Sequence, residues 1–165
     1  ANIRATMEEL NEIVGKLLLE RKLTLATAES CTGGLLGHCL TNVPGSSAYY
    51  AGGFVAYSYE AKERLLGVHH DTLYEYGAVS AETALEMARG ARRALGTDIA
   101  IAVTGIAGPG GGLPGKPVGL VYIALSARDR DLVEQHVWDS DREGNKLRSS
   151  EAALALLKEF LEQSH

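Results

Sequence analysis

The chain has 165 residues and only two cysteines, Cys31 and Cys39, which leaves room for one disulfide at most. If the segment after Cys31 is helical, the two lie about 12 Å apart along its axis at about 1.5 Å per residue. A disulfide cannot close that gap without breaking the helix, so both thiols are expected to be reduced. No apolar run approaches the roughly 20 residues of a membrane span, and the N-terminus has no signal-peptide pattern. No membrane partner is therefore expected, and a cytoplasmic setting is the default. Lysine and arginine total 16 against 21 aspartates and glutamates, and the formal net charge of −5 offers no basic field to nucleic acid. Metal-binding patterns such as C-x-x-C and H-E-x-x-H are missing. His69 and His70 are adjacent and poorly placed to share an ion, while His38, His136 and His165 stand alone, so no metal is expected. Repeats, low-complexity stretches and linkers are also absent, which makes residues 1–165 a single domain.

Glycine, by contrast, is abundant and concentrated. Six of 19 glycines fall in "GIAGPGGGLPG", Gly105 to Gly115. Gly110 to Lys116 matches G-x-x-x-x-G-K, and Gly110, Gly112 and Gly115 match G-x-G-x-x-G. Both nucleotide motifs require a following helix, whereas Pro117 and a strand-like run follow here. Two readings remain for this loop: a hairpin-like connection, or a wall of a site.

The apolar periodicity gives the elements. Residues 5–20 read as an amphipathic helix, Thr24–Ala28 as a buried strand, Gly34–Leu40 as a short helix, and Gly52–Ser58 as a second strand. "EAKERLLGV" has a helical period that stops at Gly67. "VSAETALEMARGARRALG" is a helix capped by Ser80, with Ala84, Leu85, Ala88, Ala91 and Leu95 on one face. "DIAIAVTG" and "VGLVYIALSA" read as strands joined without a helix, hence antiparallel. "DLVEQHVW" is an edge strand, and residues 150–163 form a last helix buried through Ala153, Leu156, Leu157, Phe160 and Leu161. Alternating strands and helices predict a three-layer α/β/α sandwich around a mixed, mostly parallel sheet of about five strands. Tyr49, Tyr50 and Tyr74 are read as exposed, and with them comes the expectation of a homo-oligomer.

Chemistry concentrates in "AESCTGG". A serine at the end of a buried strand, just before a helix, is rigidly held, and amides at the helix start can stabilise an oxyanion. It is not the G-x-S-x-G elbow, because Ala28 and Thr32 occupy the glycine positions. The rival reading makes Ser30 or Thr32 a helix cap. Adjacent side chains diverge, so Ser30 and Cys31 cannot both face one cleft. Ser30 is preferred as the nucleophile because Lys62 of "YSYEAK", beyond Tyr57, can act as its base if burial or a nearby cation removes its proton. Otherwise Lys62 is a surface lysine beside Glu60 and Glu63.

Together, "AESCTGG", "YSYEAKERLLGV", "GAVSAETALEMARGA", "DIAIAVTGIAGPGGG" and "KPVGLVYIA" follow in the order seen in CinA C-terminal domains, a family the chain resembles over nearly its whole length. That family includes nicotinamide mononucleotide amidohydrolases. The resemblance implies cleavage of the carboxamide of a small-molecule nucleotide to a carboxylate and ammonia by a serine–lysine mechanism, with no cofactor. Carried over by position, Ser30 is the nucleophile, Lys62 the base, and Tyr57 relays or orients the proton. Thr104 and Gly105 line the site, and Arg142 resembles the family's late arginine. On the residues themselves, amides around Thr32, Gly33 and Gly34 at the helix start are the expected oxyanion donors, and Arg142 is expected to hold the phosphate or to depress Lys62. Tyr59 stands where the family usually has asparagine. The alternatives are an amidase for another nucleotide amide, or a nucleotide-sensing or partner-binding module without turnover, tied to competence or damage responses.

Overall fold

Large and small side chains alternate along the central strands and sort to opposite faces of the sheet. Ile99, Ile101 and Val103 of β3 (Ile99–Gly105) enter one core, while Ala100 and Ala102 enter the other. β4 (Leu120–Ala127) repeats the division, with Val121, Ile123 and Leu125 against Ala124. The computed structural model describes residues 2–163. Its sheet runs β2-β1-β3-β4-β5, with β1 at Leu25–Glu29, β2 at Tyr50–Val55 and β5 at Asp131–Val137. β1 pairs in parallel with β2 and β3, while β4 is antiparallel to both β3 and β5. Only β4 therefore runs against the other four strands.

Three helices cover the branched face: α1 (Ile3–Arg21), α2 (Leu35–Thr41) and α6 (Arg142–Gln163). α3 (Tyr59–Leu66), α4 (His70–Tyr76) and α5 (Ala81–Leu95) cover the alanine face. α5 meets the strand alanines with its own Ala84, Ala88 and Ala91, so its backbone can approach the sheet closely. This is the expected three-layer sandwich.

Several boundaries differ from those read in the sequence. α6 starts at Arg142, eight residues before the predicted helix, because Asp141 caps its first turn by accepting from the Gly144 amide at 2.8 Å. A Cβ on Gly144 would overlap the Ser140 side chain. α4 was not foreseen. Leu95 is exposed and Leu85 only half-buried, so the buried face of α5 is the alanine row with Thr83 and Met87. Tyr49 is 2% exposed and belongs to the core, and the Tyr50 hydroxyl lies 2.6 Å from Thr27 Oγ1. Of the three tyrosines read as surface residues, only Tyr74 is exposed. His165 lies outside the described residues. No helix among the described residues is long and apolar enough to cross a membrane.

Candidate active site

Where the chain leaves β1 it reaches a topological switch: β2 lies on one side of β1 and β3 on the other. Open α/β sheets bind ligands in the crevice at the carboxyl ends of the strands flanking such a point. Ser30 sits there, held by its amide donating to the Val103 carbonyl at 2.9 Å. Thr104 and Gly105 end the neighbouring β3, and they line the same cavity of about 250 Å³ as Ser30, Tyr57, Lys62 and Arg142.

Ser58 caps α3 by accepting from the Ala61 amide, and so places Lys62 on the first turn, facing inward. Lys62 is 1% exposed and is the largest fully buried side chain by volume. Its Nζ lies 2.9 Å from Ser30 Oγ, 2.8 Å from the Ala56 carbonyl and 3.4 Å from the Tyr57 carbonyl. Burial penalises the ammonium and pushes Lys62 down from an ordinary 10.5 to about 8, with Cys31 acting in the opposite direction. In the neutral amine, two hydrogens serve the two carbonyls, and the lone pair is left for the serine hydroxyl. The amine can therefore gain or lose a proton without changing its position.

Cys31 also borders the cleft, but burial raises its thiol to about 12, so it stays protonated near neutral pH. Cys31 and Cys39 are both free and buried.

Thr32, Gly33 and Gly34 depart from the expected arrangement: they do not line the cavity. Glu29, 2% exposed at the end of β1, takes their donors instead. Its Oε1 accepts from the Thr32 hydroxyl at 2.6 Å, the Gly34 amide at 3.2 Å and the Leu36 amide at 2.9 Å, while Oε2 accepts from the Gly37 amide at 2.9 Å. A buried carboxylate at the positive end of α2 satisfies the amides that a helix leaves free there. The Gly33 amide is turned back to the Ser30 carbonyl at 3.1 Å. Among the described residues, the Thr32 amide donates to no oxygen and is the donor this turn retains, while the Cys31 amide is directed at its own sulfur. A carboxylate closing a buried strand just before a helix was the signal in the sequence for this clamp.

The glycine loop combines both of its readings. Leu113 and Lys116 exchange backbone hydrogen bonds of 2.8 Å, as in a hairpin, while Gly108, Gly110 and Gly111 face the cleft. Arg142 donates to the Gly108 carbonyl at 2.7 Å and to the Tyr57 hydroxyl at 3.1 Å. Buried Asn145 donates to the Ala107 carbonyl at 2.9 Å, and Lys116 to the Tyr76 carbonyl. Arg142 thus ties the loop to Tyr57, whose hydroxyl makes no hydrogen bond to Ser30 or Lys62. On the opposite wall, the Thr104 hydroxyl donates to the Ala78 carbonyl at 2.7 Å. The Tyr59 hydroxyl accepts from the Ala78 amide at 3.3 Å, and its ring packs edge-on to Tyr74. Tyr59 therefore supports the wall of the cleft.

The family model described as the CinA C-terminal domain matches residues 7–161. A CinA-like protein from Chloroherpeton thalassium is 55% identical over 159 residues, covering 94% of this chain and 38% of that protein. One from Chlorobaculum tepidum is 54% identical over 158 residues, covering 92% and 37%. The chain thus spans less than two fifths of the length of these curated relatives. Among solved structures, the competence/damage inducible protein CihA from Agrobacterium tumefaciens superposes with a TM-score of 0.92 at 44% identity, covering 96% of each chain. The competence damage-inducible protein A from Klebsiella pneumoniae gives a TM-score of 0.94 at 38% identity, covering 96% of this chain and 99% of that one.

Proposed function

The chain belongs to the CinA C-terminal domain family, and on that premise we propose that it hydrolyses the carboxamide of nicotinamide mononucleotide, releasing ammonia and nicotinate mononucleotide. The observation that carries this reading is the buried Lys62 amine, its pKa lowered to about 8 by burial, 2.9 Å from the Ser30 hydroxyl in the cleft.

The proposed reaction has two halves. Neutral Lys62 takes the hydroxyl proton as Ser30 Oγ attacks the amide carbon, and the carbonyl oxygen becomes an oxyanion for which the unpaired Thr32 amide, in the turn after Ser30, is the donor. Lys62, now an ammonium, gives its proton to the departing nitrogen. Ammonia leaves, and an ester to Ser30 remains. Lys62 then takes a proton from water, the resulting hydroxide attacks the ester carbon, and the proton returns to Ser30 as the carboxylate product departs. Both halves use one amine that shuttles one proton, so neither calls for a cofactor. Arg142 orients Tyr57 and the glycine loop over the substrate ring rather than meeting Lys62: its two terminal nitrogens serve Gly108 and Tyr57.

The deciding assay incubates the chain with nicotinamide mononucleotide and measures ammonia and the deamidated nucleotide. Ser30→Ala and Lys62→Ala are each expected to lower turnover by about a thousandfold or more while the circular dichroism spectrum persists. A wild-type chain that binds the mononucleotide without releasing ammonia rejects the reading and favours a sensing module. Release of ammonia only from other carboxamides corrects the substrate.

A further inference from the structure

A cavity of about 250 Å³ is small for a whole nucleotide, since pockets for ligands of that size run to about 300–1,000 Å³. Arg142 lines both this cavity and a neighbouring groove of about 450 Å³. The groove lies between α1, α2 and α6 and is bordered by Arg4, Leu35, Arg142, Glu143, Lys146 and Leu147. Three cations against one carboxylate make it locally positive in a chain of formal net charge −5. The carboxylate is already engaged, because Glu143 pairs with Arg4 at 2.9 Å.

The two cations nearest the cleft are not equivalent. The terminal nitrogens of Arg142 are committed to Gly108 and Tyr57. Lys146, one helical turn further along α6 and on the same face, has an ammonium that makes no hydrogen bond or ion pair with any described residue. That ammonium lies over the turn carrying Ser30: a Cβ built on Gly33 would stand 3.7 Å from Lys146 Nζ. Gly33 has a φ of +61°, a conformation most side chains avoid, so the turn leaves this approach open.

We propose that the groove between Arg142 and Lys146 receives the phosphate monoester of the substrate whose carboxamide lies at Ser30, with Lys146 as the cation that contacts it. This rests on the carboxamide reading and adds the determinant that distinguishes a nucleotide from its nucleoside. An ammonium with its hydrogen-bonding capacity free is the usual point-charge partner of a phosphate, and a dianion there displaces water rather than an existing protein contact.

The test compares the affinities of nicotinamide mononucleotide, nicotinamide riboside and inorganic phosphate by calorimetry on Ser30→Ala chains that carry Lys146, Lys146→Gln or Lys146→Arg, so that no substrate is consumed. The ratio of mononucleotide to riboside affinity is expected to fall at least tenfold in Lys146→Gln and to stay within about threefold of wild type in Lys146→Arg. Thermal unfolding of each variant is followed in parallel, because a general loss of structure lowers both affinities and leaves their ratio unchanged. An unchanged ratio in Lys146→Gln overturns the proposal, as does inorganic phosphate that binds without competing with the mononucleotide, which marks a separate anion site. Ammonia release is measured on the matching chains with Ser30 intact. Wild-type turnover with an unchanged ratio in Lys146→Gln rejects the phosphate subsite alone, whereas a Lys146-dependent ratio without turnover rejects the hydrolase reading alone.

Discussion

At the scale of single residues, the site is a problem of protonation. Lys62 is held at about 8 by burial, and an unfolded lysine titrates near 10.5. Between those values the unfolded chain binds a proton that the folded chain does not, so this group's contribution to stability rises with pH across that window and is least favourable below about 8. The rate is expected to follow the same proton in the useful direction: kcat/KM for amide hydrolysis should climb with pH and level off with an inflection near 8. Lys62→Met should be inactive at every pH. It should also be at least as stable as wild type near pH 6, and that advantage should shrink as pH rises from 8 toward 10.5. Denaturant titrations across the range, set beside the pH–rate profile, test both halves, and a rate inflection near 6 with no change in the stability difference would remove Lys62 from the role of base. Cys31 provides the contrast. Its thiol is pushed in the opposite sense, to about 12, so Cys31→Ala should retain most of the turnover.

At the scale of elements, the important question is what fixes α3 relative to β1, because the two carry Lys62 and Ser30 separately. α3 ends against α5 at Gly90, where an added Cβ would collide with the Leu66 carbonyl. Leu66 is one turn along α3 from Lys62. Helix propensity alone favours Gly90→Ala by about 1 kcal/mol, whereas overpacking costs about 1–3 kcal/mol. The collision is with backbone, which has no rotamer to escape into, so the steric cost should prevail. Gly90→Ala is expected to lower stability and to cut kcat at least tenfold by displacing the amine from Ser30, since misplacements of about 1 Å cost about a hundredfold. Thermal melts and steady-state rates check this, and an alanine variant with wild-type stability would show that α3 is free to shift. The same elements show what the sequence could reveal. Period and caps disclosed α3, α5 and the strands because apolar spacing and Ser58 or Ser80 act locally. Tyr49 and Tyr50 were misplaced because nothing local records that α1 and β1 close over them, and α6 was shortened because Gly144 answers to its neighbours Ser140 and Asp141 rather than to helix propensity. In the site, Ser30 and Lys62 stood out as candidates for nucleophile and base, and the structure brings them within 2.9 Å of each other. The diversion of the Gly34 amide to Glu29 depends on where a buried carboxylate points, which spacing alone does not encode.

At the scale of the whole molecule, the cleft draws on segments far apart in the chain. Ser30 closes β1, Lys62 opens α3, Thr104 ends β3, the glycine loop leads to β4, and Arg142 begins α6. These segments belong to both helical layers and meet only where the strand order switches direction, so ligand in the cleft bridges the branched core and the alanine core. Binding should therefore stabilise the chain against global unfolding instead of merely tightening one loop. A ligand that binds only the folded state at about 100 times its Kd adds about 2.7 kcal/mol, and in a chain of this length each kcal/mol moves Tm by about 2–4 °C. Ser30→Ala is expected to remove turnover while keeping the cleft, so nicotinamide mononucleotide at that excess should raise its Tm by about 5–11 °C as one sharpened transition. If instead only a minor early phase moved and the main transition stayed in place, the cleft would lie within a locally unfolding segment, and its two walls would not be joined through the sheet.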